Sequence, residues 1–137
     1  AKKAKNLGIK TDLKVHDINS NNLPYENNFF DSAITIAILH CIEGKENRIK
    51  IIKELHRVLK PKAKLLIKVW NKNNKKFKNK GKEKFIKWRD KGERYYYFYE
   101  ESELLNELKN SGFKILKSNS KDKDFQLQEI VVLCKKQ

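Results

Sequence analysis

An uncharged apolar run stands out in Glu26–Ile42, where a polar turn leads into residues rich in β-branched side chains from Ala33 onward. Such a run, bounded by turn residues, predicts a strand buried on both faces. A polar side chain, His40, follows at the carboxyl end of this strand. Ligands of open α/β sheets bind at that end. His40 is therefore either a functional residue or an incidental histidine of a plain core strand.

A helical period follows this strand. In Glu43–Lys60 one apolar stripe is formed by Ile51, Ile52, Leu55, Val58 and Leu59. Pro61 predicts the end of the helix, and Lys64–Trp70 predicts the next strand. Because a strand, a helix and a strand with a short connection form a βαβ unit, we expect the two strands to be parallel.

The two ends of the chain show weaker patterns. Ala1–Gly8 predicts the end of a basic helix, and the alternation in Ile9–Asp17 predicts a short strand. Near the carboxyl terminus, Gly112 is a helix-ending glycine. The pattern around it predicts one helix and then two antiparallel strands, over Ser102–Asn110, Phe113–Ser118 and Leu127–Lys135.

The segment between the second strand and this helix has no apolar period over most of its length. Asn71–Lys91 is rich in lysine, which predicts a mobile basic insertion in a single domain of 137 residues. Glu93–Tyr99 is aromatic. This second segment is either a strand packed on the sheet or a source of rings that stack on a base.

Composition adds a preference for polyanionic partners. The chain carries 32 Lys and Arg against 17 Asp and Glu, a formal charge of +15, which favours nucleic acid first and an anionic membrane surface second. Cys41 and Cys134 match no metal spacing and no disulfide framework, so we expect a reducing, cytoplasmic setting. No apolar stretch is long enough to span a membrane. The chain has no methionine, which indicates processing or a piece of something longer.

These patterns together resemble a known family. The chain resembles the class I S-adenosylmethionine-dependent methyltransferases in three places. These are Phe30-Asp31 before the apolar strand, Leu39-His40 after it and Lys60-Pro61 before the next strand. The resemblance implies an α/β, Rossmann-like sheet, mostly parallel with an antiparallel final strand. It also implies S-adenosylmethionine as the cofactor.

A narrower resemblance extends over nearly the whole chain from Asp12 onward. Four segments are similar to segments of the tRNA wobble-uridine carboxymethyl methyltransferases, namely Ile34–Cys41, Leu66–Trp70, Trp88 and Arg94-Tyr95-Tyr96. Enzymes of that family convert 5-carboxymethyluridine in the anticodon into its methyl ester. The chain departs from the family at Cys41 and Tyr97, where the family usually has histidine.

The resemblance implies which residues meet the cofactor. Asp17 matches the acidic residue that bonds the adenine amino group, and its alternative role is to cap the following turn. Ile18 adds an apolar edge, while Ile36 and Ala37 line the cofactor or serve as core. No Gly-x-Gly occurs. The resemblance therefore implies a domain truncated at its amino terminus, with the first two strands and their helix outside this chain.

The resemblance also implies residues for catalysis and substrate binding. His40 and Arg94 are the catalytic candidates, because a guanidinium fork holds a carboxylate or phosphate well. Trp88, Tyr95 and Tyr96 are candidates for stacking on a flipped base. Basic residues then contact RNA or belong to a solvated loop, namely Lys75, Lys76, Lys78, Lys80 and Arg89.

Two other function classes are open alongside methyl transfer to tRNA. One is a class I methyltransferase with a small-molecule substrate, and the other is a basic RNA-binding remnant without catalytic activity. The partners implied by the resemblance are tRNA and a small zinc-binding activator protein. We expect the activator at the sheet edge formed by Ile9–Val15, because exposed strand edges pair readily.

Overall fold

The computed structural model describes residues 6–18, 22–74, 81–87, 90, 92–119 and 129–137. Within these residues the chain forms six strands and two helices of at least ten residues. In chain order they are β1 (Phe30–Ile36), α1 (Lys45–Val58), β2 (Leu59–Trp70), β3 (Glu83–Lys87), β4 (Glu93–Tyr97), α2 (Glu101–Asn110), β5 (Phe113–Ser118) and β6 (Glu129–Lys136). A 3₁₀ turn, Leu39–Cys41, lies between β1 and α1.

The predicted βαβ unit is confirmed. Strands β1 and β2 are parallel, with Ile34 opposite Leu66. Helix α1 ends at Val58, two residues earlier than expected, and β2 begins at Leu59 rather than at Lys64. Pro61 therefore lies inside a strand, but in the part of β2 that precedes its pairing with β6. A proline at this position therefore removes no hydrogen bond between β2 and β6.

The main sheet is mixed, with the strand order β1-β2-β6-β5. One of its three strand pairs is parallel, and β6 runs antiparallel to both of its neighbours, as expected for the final strand. The helix α2 and the antiparallel pair β5–β6 agree with the sequence pattern. Neither described helix has the length and apolar character needed to cross a membrane.

The expectation that β1 is buried on both faces is wrong. Thr35 is buried, whereas Ile34 remains 68% exposed and Ile36 50% exposed. The two helices of the described residues cover one face of the sheet, and Leu65, Ile67 and Val69 of β2 point onto that face. In a strand, alternate side chains point to opposite faces, so the second apolar set of β1 lies on the uncovered face.

The predicted strand at Ile9–Asp17 is also not observed. These residues form no regular structure, and the side chains of Leu13 and Val15 are exposed. An alternating pattern yields a strand only when it finds a neighbouring strand and a surface to pack against. Most of the helix end expected at Ala1–Gly8 lies outside the described residues.

The lysine-rich insertion is partly ordered, contrary to expectation. Its strand β3 pairs antiparallel with β4, with Phe85 opposite Tyr95, and the two strands form a separate sheet. The hairpin continues from the end of β2, because Tyr99 N–H donates to the Trp70 carbonyl oxygen at 3.0 Å. Cross-strand pairs of aromatic and β-branched side chains stabilise a two-stranded sheet such as this one. This stabilisation offsets the unfavourable effect of the basic composition.

We predict that Gly112→Ala destabilises the protein more than Gly92→Ala. Both glycines have positive φ, +91° and +85°, a region that costs an alanine on the order of 1 kcal/mol. A Cβ at Gly112 would also lie 2.6 Å from His56 Nε2, whereas none of the described atoms lies within 4 Å of a Cβ at Gly92. Urea unfolding measures both variants, and equal losses would show that His56 moves aside freely.

Candidate functional site

The chain turns sharply where β1 ends. Ala37 N–H still donates to the Lys68 carbonyl oxygen at 3.2 Å, but Ala37 itself has φ +58°, in the left-handed region. Cys41 Sγ then donates to the Ala37 carbonyl oxygen at 3.5 Å, which closes the loop into the 3₁₀ turn. Backbone strain of this kind, on the order of 1–3 kcal/mol, is common at functional sites. Ile36 and Ala37, both expected to meet the cofactor, stand exposed at this turn.

His40 lies inside the protein rather than on this surface. Its side chain is 1% exposed, and its Nδ1 accepts a hydrogen bond of 3.2 Å from Trp70 N–H. The imidazole stacks on the Trp70 ring with centroids 4.9 Å apart. These contacts match the structural interpretation of His40, since they join the 3₁₀ turn to the carboxyl end of β2.

Burial also keeps His40 neutral. Removal of the ring from water lowers the pKa of His40 from 6.5 to about 4, and Glu129 opposes this shift. Because Nδ1 accepts from Trp70, the single proton of the neutral ring is on Nε2. At neutral pH the ring has no charge to offer an anionic substrate.

Arg94 lies on the exposed side of the same region. It belongs to β4, which packs against the 3₁₀ turn. Its positive charge acts on the neighbouring Cys41 thiol: burial raises the pKa of Cys41, and Arg94 opposes that rise. The structure thus brings Ile36, Ala37, Cys41 and Arg94 to one end of the sheet, with His40 buried beneath them.

The tyrosines expected to stack on a base are buried, and this expectation needs correction. Tyr96 is 4% exposed and stacks on Trp70, with centroids 4.6 Å apart. Tyr95 is also buried and meets Phe85 edge-to-face. Neither ring is open to a base in this structure. The aromatic segment supplies core packing, which was the alternative interpretation of its sequence.

The remaining candidates are dispersed. Asp17 is exposed in a segment without regular structure, and the half-buried Ile18 packs against the core. The RNA-contact candidates Lys75, Lys76, Lys78, Lys80, Trp88 and Arg89 lie outside the described residues. The structure therefore leaves their proposed roles untested. Within the described residues, no three His, Cys, Asp or Glu side chains cluster as metal ligands.

A buried arginine that the sequence pattern did not single out lies in α1. Arg48 is 2% exposed, and its guanidinium lies 3.6 Å above the centroid of the Tyr97 ring. Its Nη1 donates to the Ile42 carbonyl oxygen at 3.2 Å and to the Tyr95 hydroxyl at 3.5 Å. Arg48 stands three residues before Ile51 on the apolar stripe of α1, and this spacing was the available signal.

Two glutamates of α2 complete the polar cluster around Arg48. The Tyr97 hydroxyl donates to Glu103 at 2.5 Å, and the Tyr99 hydroxyl donates to Glu107 at 3.2 Å. Burial raises the pKa of Tyr97, and the bond to Glu103 adds to this rise. Burial also raises the pKa of Glu107, Glu103 adds to the rise, and the Arg48 charge opposes it. The cluster couples α1, β4 and α2.

Sequence comparisons find that parts of this chain are similar to methyltransferases. Residues 1–67 match the family model described as "Methyltransferase domain". The chain is 51% identical over 49 residues to the tRNA (carboxymethyluridine(34)-5-O)-methyltransferase of Arabidopsis thaliana, a match that covers 36% of this chain and 12% of that protein. A protein of Encephalitozoon cuniculi named as a methyltransferase is 34% identical over 103 residues, 69% of this chain and 49% of that protein. The chain thus spans about half the length of one relative and much less of the other.

Solved structures agree on the fold. An S-adenosylmethionine-dependent methyltransferase from Methanosarcina mazei matches with a TM-score of 0.72 and 23% identity, over 93% of this chain and 68% of that one. Another such methyltransferase, from Clostridium acetobutylicum, matches with a TM-score of 0.73 and 17% identity, over 98% of this chain and 68% of that one. The [4+2]-cyclase SpnF matches with a TM-score of 0.65 and 20% identity, over 99% of this chain and 61% of that one. The α/β, Rossmann-like fold is confirmed, and because it also carries a cyclase, the fold alone does not define the reaction.

We predict that His40 makes stability depend on pH. The unfolded chain binds a proton at this residue near pH 6.5, whereas the folded chain binds it only near pH 4. The contribution of neutral His40 is therefore complete above pH 6.5 and is lost, up to about 3 kcal/mol, as the pH falls to 4. Urea unfolding across this range should show a smaller loss for His40→Gln than for the unchanged protein.

His56→Gln is the matched control for this experiment. Burial lowers the pKa of His56 as well, but this ring is only half-buried. Its replacement should change the pH dependence less than His40→Gln does. The same slope for His40→Gln and the unchanged protein would contradict the prediction.

We predict an energetic coupling between Arg48 and Tyr97. In a double-mutant cycle with Arg48→Met and Tyr97→Leu, the coupling free energy of unfolding should be about 1–2 kcal/mol, because a desolvated guanidinium lies over the ring. Lys53→Met, on the same helix but exposed, should be additive with Tyr97→Leu. Additivity in both cycles would show that the stacked geometry contributes nothing.

Proposed function

We propose that this chain is part of a class I S-adenosylmethionine-dependent methyltransferase, and that it takes part in methylating the carboxylate of 5-carboxymethyluridine at the wobble position of tRNA. The observation that carries the substrate is the 51% identity to the Arabidopsis tRNA (carboxymethyluridine(34)-5-O)-methyltransferase over 49 residues. The match covers 36% of this chain, so the substrate and partners of the whole protein are proposals.

The turn after β1 supports a cofactor site at that place. Its exposed Ile36 side chain and the left-handed Ala37 leave apolar surface and backbone accessible at the end of a parallel strand, where this class of sheet binds ligands. We assign Asp17 to the adenine amino group, which a carboxylate accepts well, and Ile18 to the adenine edge. When bound, S-adenosylmethionine supplies the methyl group.

Arg94 is the residue we assign to the substrate carboxylate. The nucleophile is already ionised at neutral pH, since carboxylic acids have pKa values near ~4. Such a nucleophile needs alignment and exclusion of water rather than removal of a proton. A guanidinium can fix the plane of the carboxylate through one of its oxygens or through the base, and the other oxygen then stays free to attack the methyl group. The neutral, buried His40 would hold the turn in place beneath the reacting groups.

We further propose tRNA and a small zinc-binding activator as partners in the cytoplasm. The formal charge of +15 supports a polyanionic partner. We assign contacts with the RNA backbone to five basic residues, Lys75, Lys76, Lys78, Lys80 and Arg89. We assign stacking on a base to Trp88. The activator is assigned to Ile9–Val15, where the exposed Leu13 and Val15 are apolar surface for a partner to cover. The two cysteines are unpaired, which supports a reducing compartment.

Replacement of Arg94 tests the assignment. In a form of the protein that transfers methyl groups, Arg94→Lys should keep most tRNA binding but lower turnover, because misalignment of about 1 Å costs roughly a hundredfold in rate. Arg94→Ala should lose more, since a charge-assisted hydrogen bond of about 1.5–3 kcal/mol also disappears. Tritium transfer from labelled S-adenosylmethionine to tRNA measures turnover, and filter binding measures affinity.

Lys87→Ala is the control, because it removes an equal charge from the exposed side of the same hairpin. It should weaken tRNA binding and leave turnover unchanged. If both Arg94 variants behave like Lys87→Ala, then Arg94 contacts phosphate and the assignment is wrong. Methyl transfer to a small acid but not to tRNA would support the small-molecule alternative. Salt-dependent tRNA binding without transfer would support the RNA-binding remnant.

A further inference from the structure

The face of the main sheet opposite the two helices has an apolar centre. The register of the strands places Ile34 of β1, Leu66 of β2 and Leu133 of β6 side by side in one row. Val131 of β6 lies two residues further along the same face. Ile34 is 68% exposed, and the other three side chains are half-buried. We call these four residues the apolar patch, and none of them is assigned to methyl transfer. Contiguous apolar surface of this kind marks interaction sites.

A groove deepens the apolar patch over β6. Its volume is about 290 Å³. Its lining combines three aliphatic side chains of the patch with polar residues at the end of β5, namely Leu66, Val131, Leu133, Lys117, Ser118 and Asn119. The row from β1 to β6 spans two strand spacings, about 10 Å. An α-helix with its side chains is about 10–12 Å wide, so a single helix has the width needed to cover the patch.

Three lysines form the next row at one end of the apolar patch. The register places Lys64 of β2 opposite Lys135 of β6, and Lys135 opposite Lys114 of β5. None of the three forms an ion pair within the described residues, whereas Lys68 pairs with Glu129 at 2.5 Å. Like charges directly opposite one another on neighbouring strands repel and destabilise a sheet. An acidic group placed over this lysine row would therefore be stabilising.

We propose that this face binds an amphipathic helix of a partner protein, which carries an apolar stripe and acidic residues at one end. Helices dock on apolar grooves through side chains at positions i, i+3, i+4 and i+7. A helix laid along the strands covers Leu66 and Leu133, and its acidic end reaches Lys64 and Lys135, which lie two residues further along. The lysine row thus fixes which end of the helix binds where, because charge complementarity sets the orientation of a docked partner.

Other occupants match this face less completely. A second copy of the chain would bring the same lysine row and a formal charge of +15 against an equal charge. A nucleic acid would be attracted by the lysines, but its phosphates gain nothing from aliphatic side chains. An anionic bilayer offers both apolar and acidic groups, but its flat surface would leave the groove unfilled. A helix presents both kinds of side chain on one narrow element.

Titration of the ¹⁵N-labelled chain with a synthetic helical peptide tests the proposal. The peptide has about 18 residues, enough for a helix in water, with leucines in one stripe and glutamates in its first turn. Amide shifts should concentrate in β1, β2 and β6, with a dissociation constant of about 10–100 µM. A peptide of the same composition in scrambled order should bind about tenfold more weakly. Absence of localised shifts at about 1 mM peptide, or equal binding of the scrambled peptide, would overturn the proposal.

Charge reversal separates a specific site from general attraction between an acidic peptide and a basic protein. The double variant Lys64→Glu, Lys114→Glu should weaken the peptide about tenfold and strengthen a peptide with lysine in place of each glutamate. Both positions are exposed, and each change places an opposite charge beside Lys135, so we expect this variant to fold. The control Lys53→Glu, Lys109→Glu reverses two exposed charges on the helices and should change neither affinity. Equal weakening by both variants would show non-specific attraction, and the proposal would fail.

Ile34→Thr tests the apolar half of the contact. Threonine keeps the β-branched shape but exposes a hydroxyl, so this variant should bind the peptide about threefold to tenfold more weakly. Leu13→Thr removes an exposed apolar side chain outside the sheet and should have no effect. Unchanged binding by Ile34→Thr would overturn the proposal.

Two further measurements address the other occupants. Flotation with phosphatidylserine vesicles would identify a membrane surface if the chain binds them, Ile34→Thr does not, and the peptide fails to bind. Sedimentation equilibrium would identify a second copy if the chain forms dimers that Ile34→Thr abolishes. Either result would overturn the proposal. None of these measurements depends on methyl transfer, so its failure and the failure of the proposed function are distinguishable.

Discussion

The buried guanidinium of Arg48 is the contact on which the arrangement of the helical side of the protein depends. Removing a cation from water costs several kcal/mol unless its bonds are replaced. The Tyr97 ring face, the Ile42 carbonyl and the Tyr95 hydroxyl replace part of this hydration. Each of these partners belongs to a different part of the chain from α1 itself. The requirement to satisfy one charge thus holds the aromatic hairpin against the helix.

This packing explains why an aromatic segment serves structure rather than stacking on substrate. The side chains of Tyr95 to Tyr99 are buried, and the rings of Trp70, Tyr96 and His40 stack on one another. Arg94, just before this segment, is exposed on the same strand. A rigid strand limits the motion of a side chain at its end, and the carboxylate nucleophile that we propose would require positioning of this kind.

The turn after β1 and the polar cluster around Arg48 differ in how they are supported. The turn after β1 depends on backbone geometry, with Ala37 in the left-handed region and the Cys41 thiol bonded to its carbonyl. The cluster around Arg48 depends on side chains, with Glu103 and Glu107 accepting hydrogen bonds from Tyr97 and Tyr99. The Arg48 guanidinium lies over the rings of Tyr97 and Tyr99, so it contacts the same tyrosines as the two glutamates.

The sequence by itself determined the elements that depend on short-range spacing. Side chains a few residues apart predict the apolar stripe of α1, the parallel pair β1–β2 and the end of α2 near Gly112. The family resemblance is carried by the same segments. Only the tertiary structure decided which surfaces are buried. It left Ile34 exposed, turned Glu83–Lys87 into a strand and buried Arg48, because each outcome depends on partners distant in the chain. A charge on an apolar stripe is equally compatible with a solvated face and with a buried one until its partners are in place.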